Sequence, residues 1–181
     1  MALSYFQIQL PELTGSVYIL LLMSDNSPIY DLADGSDKRF AIVAARYNQL
    51  LVDSMVSHAT DTLKKAGATD LTLIRVPGSN ELPFAVSVLA KSGAFDGIIA
   101  IGLVIAGSTN HHNVIGNSCA QALHLISIET QIPIINGITV VENKNQATER
   151  AGEKLNRGRE FANAALEIVQ FNRTWINQHK K

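Results

Sequence analysis

One stretch constrains the fold more than any other: Ile98-Ile-Ala-Ile-Gly-Leu-Val-Ile-Ala-Gly-Ser-Thr-Asn-His-His112. Its apolar run is too continuous for a strand with one wet face. Only a strand covered on both faces tolerates an apolar residue at nearly every position, so the run predicts a buried parallel strand. It stops at Gly107-Ser108-Thr109. The loop after such a strand is where open α/β sheets bind ligands. A small hydroxyl-bearing turn before a helix N-terminus suits an anion, because backbone N–H groups can approach closely. A histidine beside it offers proton transfer near neutral pH.

Strand and helix patterns alternate on either side of this run. Phe40–Ala45 reads as a short buried strand, and Val52, Met55, Val56, Ala59 and Leu63 follow at helical spacing. That helix closes on Lys64-Lys65-Ala66-Gly67, a basic last turn with a terminal glycine. Leu71–Val76 is the next strand, and Pro77-Gly78 turns the chain. Ser79 or Asn80 is expected to cap a helix carrying Leu82, Val86 and Leu89 inward. After the central run, Ile115, Cys119, Ala122 and Ile126 mark a long helix. Pro133–Val140 is a fourth strand, followed by helices near Gln146–Arg150 and from Arg159 to Asn177. Repeated β-α units imply right-handed crossovers and helices on both faces. The fold expected is a three-layer α/β/α sandwich with a central four-stranded parallel sheet, flavodoxin-like in type.

With 181 residues and 46% hydrophobic content, one domain with a sizeable core is expected. It spans residues 38–177, after an N-terminal extension (1–37) and before a polar tail (178–181). The segment from Arg173 onward is expected to fray. Ser16–Met23 is apolar but too short to span a bilayer, and no Lys or Arg precedes it, which argues against a secretory signal. It reads as an extension strand that pairs with another subunit, or as a poorly ordered appendage. A net charge of −1 gives no reason to expect nucleic acid or a membrane as partner. The single cysteine, Cys119, allows no intrachain disulfide and fits a reducing, cytoplasmic setting. Its place in an apolar helical pattern favours core packing over nucleophilic chemistry. Glycine-rich dinucleotide and triphosphate fingerprints are absent, as is any Cys/His metal spacing. His111 and His112 would diverge by roughly 100° on a helix and chelate poorly.

Five short segments fall at strand ends: Arg46-Tyr47-Asn48, Val76-Pro-Gly-Ser-Asn-Glu-Leu-Pro83, Gly102 to His111, Asn136-Gly137, and Glu149-Arg-Ala-Gly-Glu-Lys154. In order and spacing they resemble the 6,7-dimethyl-8-ribityllumazine synthase family of riboflavin biosynthesis, from about Asp34 to Asn172. The resemblance implies a transferase that needs no cofactor and no metal. It would condense 5-amino-6-(D-ribitylamino)uracil with 3,4-dihydroxy-2-butanone 4-phosphate, with loss of phosphate and water.

By the same resemblance Tyr47 stacks on the pyrimidine, with Asn48 beside it. Glu81 holds ribityl hydroxyls, with Ser79 and Asn80 as neighbours. The backbone of Leu103, Val104 and Ile105 reads the uracil edge. Ser108 and Thr109 form the phosphate-binding turn with Arg150, and His111 is the catalytic acid/base. Gly107, Lys154 and Arg157 are weaker candidates. Taken alone, Tyr47 reads equally as a rim residue, Glu81 as a first-turn carboxylate favouring the helix dipole, and Arg150 as a solvated helix arginine.

The chain departs from the family pattern at Ala106 (usually arginine), Asn80 (phenylalanine), Asn136 (an aromatic) and His112-Asn113 (an aromatic-acid pair). These departures touch recognition more than reaction class. The family's active site lies between subunits of a homopentamer, so Asn136 and Arg157 would come from a neighbour. The short Lys154–Gly158 connection points to the sixty-subunit icosahedral shell that some members form. Riboflavin synthase is the partner implied. Two other readings stand beside this one: an archaeal-type riboflavin synthase, and a catalytically weakened lumazine- or flavin-binding paralogue.

Overall fold

The computed structural model describes residues 33–179. The extension strand expected at Ser16–Met23 therefore lies outside the described residues. Along the chain the elements are β1 (Arg39–Ala45), α1 (Gln49–Lys65), β2 (Asp70–Val76), α2 (Leu82–Lys91), β3 (Gly97–Ile105), α3 (His111–Thr130), β4 (Ile134–Val141), α4 (Lys144–Ala151) and α5 (Arg157–His179). The four strands form one sheet in the order β2-β1-β3-β4. All three pairings are parallel, with Phe40 opposite Gly97 and Ile98 opposite Ile134.

Alternation along the strands sorts side chains into two cores. Phe40, Ile42 and Ala44 of β1, with Ile99, Ile101 and Leu103 of β3, pack against α1, α4 and α5. Ala41, Val43, Ile98 and Ala100 point the other way, against Leu82 and Val86 of α2 and Leu123 of α3. This double coverage is why β3 carries an apolar residue at almost every position. Each fully buried aliphatic side chain contributes about 1.5–3 kcal/mol relative to exposure. The three-layer α/β/α architecture agrees with the sequence reading.

Differences from expectation are local. The fourth strand begins at Ile134 because Pro133 has no N–H to donate, although its carbonyl accepts from Ile98 N at 2.9 Å. Neither Ser79 nor Asn80 caps α2. They lie in a short 3₁₀ turn, Ser79–Glu81, and the helix starts after it with a proline in its first turn. The C-terminal segment does not fray at Arg173, since α5 continues to His179.

Arg173 is tied down by charge. Its Nη2 donates to the Asp37 carbonyl at 2.6 Å and lies 3.2 Å from Asp96 Oδ2. Asp96 also accepts from the backbone N (2.8 Å) and Nε (3.1 Å) of Arg39. One carboxylate thus pins α5, the start of β1 and the entry to β3. Burial pushes the Asp96 carboxyl up, but hydrogen bonds from Arg39 and Arg173 outweigh it, and the net shift is downward. A pKa lower in the folded chain than in the unfolded one stabilises the fold fully above about pH 4. That stabilisation is lost as pH falls through the folded value. Asp96→Asn should therefore lower the melting temperature by a constant amount between about pH 5 and 7, with the gap closing below about pH 4. A gap that persists unchanged in acid would contradict this account.

Candidate active site

Because β1 and β3 are adjacent, the chain leaves β1 toward α1 on one face and leaves β3 toward α3 on the other. A crevice opens at such a switch point, outside the carboxyl ends of the strands. It holds a cavity of about 470 Å³, whose lining includes Tyr47, Asn80, Glu81, Leu103 and His111.

Each wall has a local cause. Asn48 is left-handed (φ 53°, ψ 41°), a conformation that asparagine tolerates better than most residues, and its carbonyl accepts the first bonds of α1. Its Nδ2 donates to the Leu103 carbonyl at 2.8 Å, so Asn48 laces the end of β1 to the end of β3. Tyr47, 73% exposed, is thereby held at the cavity mouth. Across from it, Gly78 lies between the Tyr47 ring and the Glu81 carboxylate. A Cβ there would come 3.4 Å from Tyr47 Cδ2 and 3.1 Å from Glu81 Oε2.

Ser79 is buried against β3, where a Cβ on Gly102 would lie 2.5 Å from its hydroxyl. The glycine in the central run is thus a close-approach site for the turn that carries Asn80 and Glu81. His111, the first residue of α3, faces the cavity. His112 turns away, with Nδ1 3.1 Å from the Thr109 carbonyl oxygen. A carbonyl only accepts, so Nδ1 carries the proton. The divergence expected of neighbouring helix residues therefore separates the two histidines.

Tyr47, Asn48, Ser79, Asn80, Glu81, Leu103, Val104, Ile105 and His111 all line this one cavity. The other candidates do not. Gly107, Ser108 and Thr109 are exposed on the loop beyond it. Arg150 sits in the last turn of α4, its Nη1 3.4 Å from the Gln146 carbonyl. That helix begins with a reciprocal cap: Asn143 Oδ1 accepts from Gln146 N at 3.0 Å, and Gln146 Oε1 accepts from Glu142 N at 3.0 Å. Asn136 lies in β4 opposite Ala100, its Oδ1 accepting from Ile138 N at 3.1 Å. Lys154 pairs with Glu149 at 2.9 Å, and Arg157 pairs with Glu160.

Two lining residues escaped the sequence reading. Ile115 looked like helix core, yet it stands one turn after His111 on the same face, a spacing that could have revealed it. Gly78 read only as a turn former. Cys119 is buried behind the wall, and burial pushes its thiol pKa up, with the Glu81 charge acting in the same direction. An inert thiol is the result. Among the described residues no group of three or more His, Cys, Asp or Glu could hold a metal ion, and no helix is long and apolar enough to cross a membrane.

A doubly covered parallel sheet with a cavity at its switch point defines an open-sheet α/β protein. The model of the 6,7-dimethyl-8-ribityllumazine synthase family matches residues 37–173. A 6,7-dimethyl-8-ribityllumazine synthase from Halorhodospira halophila is 45% identical over 140 residues, covering 76% of this chain and 90% of that protein. One from Thermococcus gammatolerans is 36% identical over 139 residues, covering 77% and 90%. The chain belongs to the 6,7-dimethyl-8-ribityllumazine synthase family.

Proposed function

We infer that the cavity at the β1/β3 switch point is where this chain makes 6,7-dimethyl-8-ribityllumazine. The chain is a transferase of riboflavin biosynthesis. It condenses 5-amino-6-(D-ribitylamino)uracil with 3,4-dihydroxy-2-butanone 4-phosphate. The uracil 5-amine attacks the ketone carbonyl, an imine forms with loss of water, phosphate leaves, and the ribitylamino nitrogen closes the ring on the remaining carbonyl with loss of a second water.

The observation that carries the site reading is convergence. An aromatic face (Tyr47), a carboxylate (Glu81), strand-end backbone (Leu103–Ile105) and an imidazole (His111) reach one cavity from four separate segments. Tyr47 supplies a stacking surface for the pyrimidine. Glu81 accepts from hydroxyls of the ribityl chain. His111 moves protons during imine formation and phosphate loss. The exposed Gly107-Ser108-Thr109 turn leads into the first amides of α3, which suits the phosphate, and an arginine adds two-pronged charge-assisted bonds.

Arg150, Asn136 and Arg157 lie off the cavity in their own chain, which supports a site completed across a subunit boundary. Exposed Leu50, Phe84 and Ile128 support the same reading, since a single copy leaves them uncovered. The assembly is a homopentamer, with the sixty-subunit shell as its larger form. A cytoplasmic setting and delivery of product to riboflavin synthase accompany it.

The test is purified protein mixed with both substrates, followed by lumazine absorbance and fluorescence, with the particle mass measured in the same solution. Product formed by particles of pentamer mass or larger is the expected result. No product would overturn the reaction, and full activity at monomer mass would overturn the shared site.

A further inference from the structure

Behind the cavity wall, Cys119 of α3 is 2% exposed. Its Sγ lies 3.3 Å from the Ser79 carbonyl oxygen and 3.8 Å from Asn80 Oδ1. Burial keeps the thiol protonated, so it is a donor, weak but permanent. The turn it backs has no side-chain cap of its own, and Gly102 on the other side lets Ser79 press against β3. The Ser79–Glu81 turn is thus wedged between α3 and β3.

An amide whose oxygen is turned toward the thiol has its nitrogen turned away from it. Asn80 lines the cavity, and its Nδ2 has no hydrogen-bond partner among the described residues. The neighbouring Glu81 carboxylate is an acceptor only. A hydroxyl offers one donor and two acceptor lone pairs, so a chain of hydroxyls is satisfied best by an acceptor and a donor side by side.

We propose that Cys119 is a positioning residue: its one S–H, shared between the Ser79 carbonyl and Asn80 Oδ1, holds this turn so that the Asn80 amide N–H₂ reads a hydroxyl oxygen of the ligand's polyol chain next to Glu81. This rests on the cavity's binding a ribityl-bearing pyrimidine, and it adds a donor beside the Glu81 carboxylate.

The experiment compares Kd for 6,7-dimethyl-8-ribityllumazine with Kd for 6,7-dimethyllumazine, which lacks the chain, in wild type, Cys119→Ala, Cys119→Ser and Asn80→Asp. Cys119→Ala should weaken the ribityl ligand about five-fold while leaving the chainless ring within about two-fold. Cys119→Ser, which keeps a donor, should recover most of the loss. Asn80→Asp replaces the donor with an acceptor and should weaken only the ribityl ligand, about ten-fold. In steady state the KM for the ribitylamino-uracil should rise with kcat unchanged. Equal loss for both ligands, or no loss in Cys119→Ala, overturns the proposal alone. Wild-type protein that binds neither ligand overturns the functional reading beneath it, and the proposal with it.

Discussion

His111→Ala is expected to lower kcat about a hundred-fold or more while changing substrate affinity little. General acid/base transfer by a placed side chain typically contributes that much. His111 faces the cavity from the first turn of α3, and His112, bonded to the Thr109 carbonyl, points elsewhere and is no substitute. Arg150→Ala should behave in the opposite manner. A lost charge-assisted contact to phosphate raises KM for the butanone phosphate about ten-fold or more, with a smaller effect on kcat. Steady-state kinetics of the two variants, each substrate varied in turn, separates the roles. Similar small effects from both would remove His111 from the chemistry and Arg150 from the phosphate.

Gly158→Ala should be the most damaging single-methyl change to the fold. Gly158 opens α5 where it crosses α1, and an ideal Cβ there would lie 2.1 Å from the Met55 carbonyl oxygen and 2.9 Å from His58 Cβ. The obstacle is backbone in the middle of a 17-residue helix, so no rotamer change relieves it. The helices must part, and the packing of Met55, Ala59 and Ala162 opens with them. We expect a loss of about 3 kcal/mol, at the upper end for overpacking, and a melting temperature lower by about 10 °C. Gly107→Ala is the control: a Cβ there meets nothing within 4 Å and the φ is not positive, so stability should change by under about 0.5 kcal/mol. Calorimetry of the two variants against wild type checks the contrast.

The order of elements was legible because β1 and β3 are buried on both faces and say so in nearly every residue. The cavity group was legible for a related reason. Tyr47, Glu81 and His111 follow strand ends, and parallel sheets bring strand ends together. Contacts made across the fold were less readable. No local pattern shows that Asn48 will bond the Leu103 carbonyl, 55 residues away, or that Ser79 will fill the space over Gly102 instead of capping a helix. The continuation of α5 past Arg173 depends on Asp96 and Asp37, far away in sequence. Asn136 and Arg150 carry site-like motifs yet stand off the cavity, because a motif records a position in the chain and not where the fold carries it.

The strand order has a kinetic consequence. β1 lies in the interior of the sheet, and its partners are β2, which follows in sequence, and β3, whose first residue pairs at Gly97. The β1–β2 unit closes a short loop, whereas β1–β3 contacts must wait for a longer one. A nascent chain that has not yet delivered β3 lacks Leu103–Ile105 and His111, and therefore has half a cavity. A partly folded form without β3 lacks the pocket. Ligand binding then stabilises only forms in which β3 has joined β1, by RT ln(1 + [L]/Kd), and gives nothing to intermediates that lack that pairing. A bound substrate thus acts on this chain as a selective brake on parting β3 from β1.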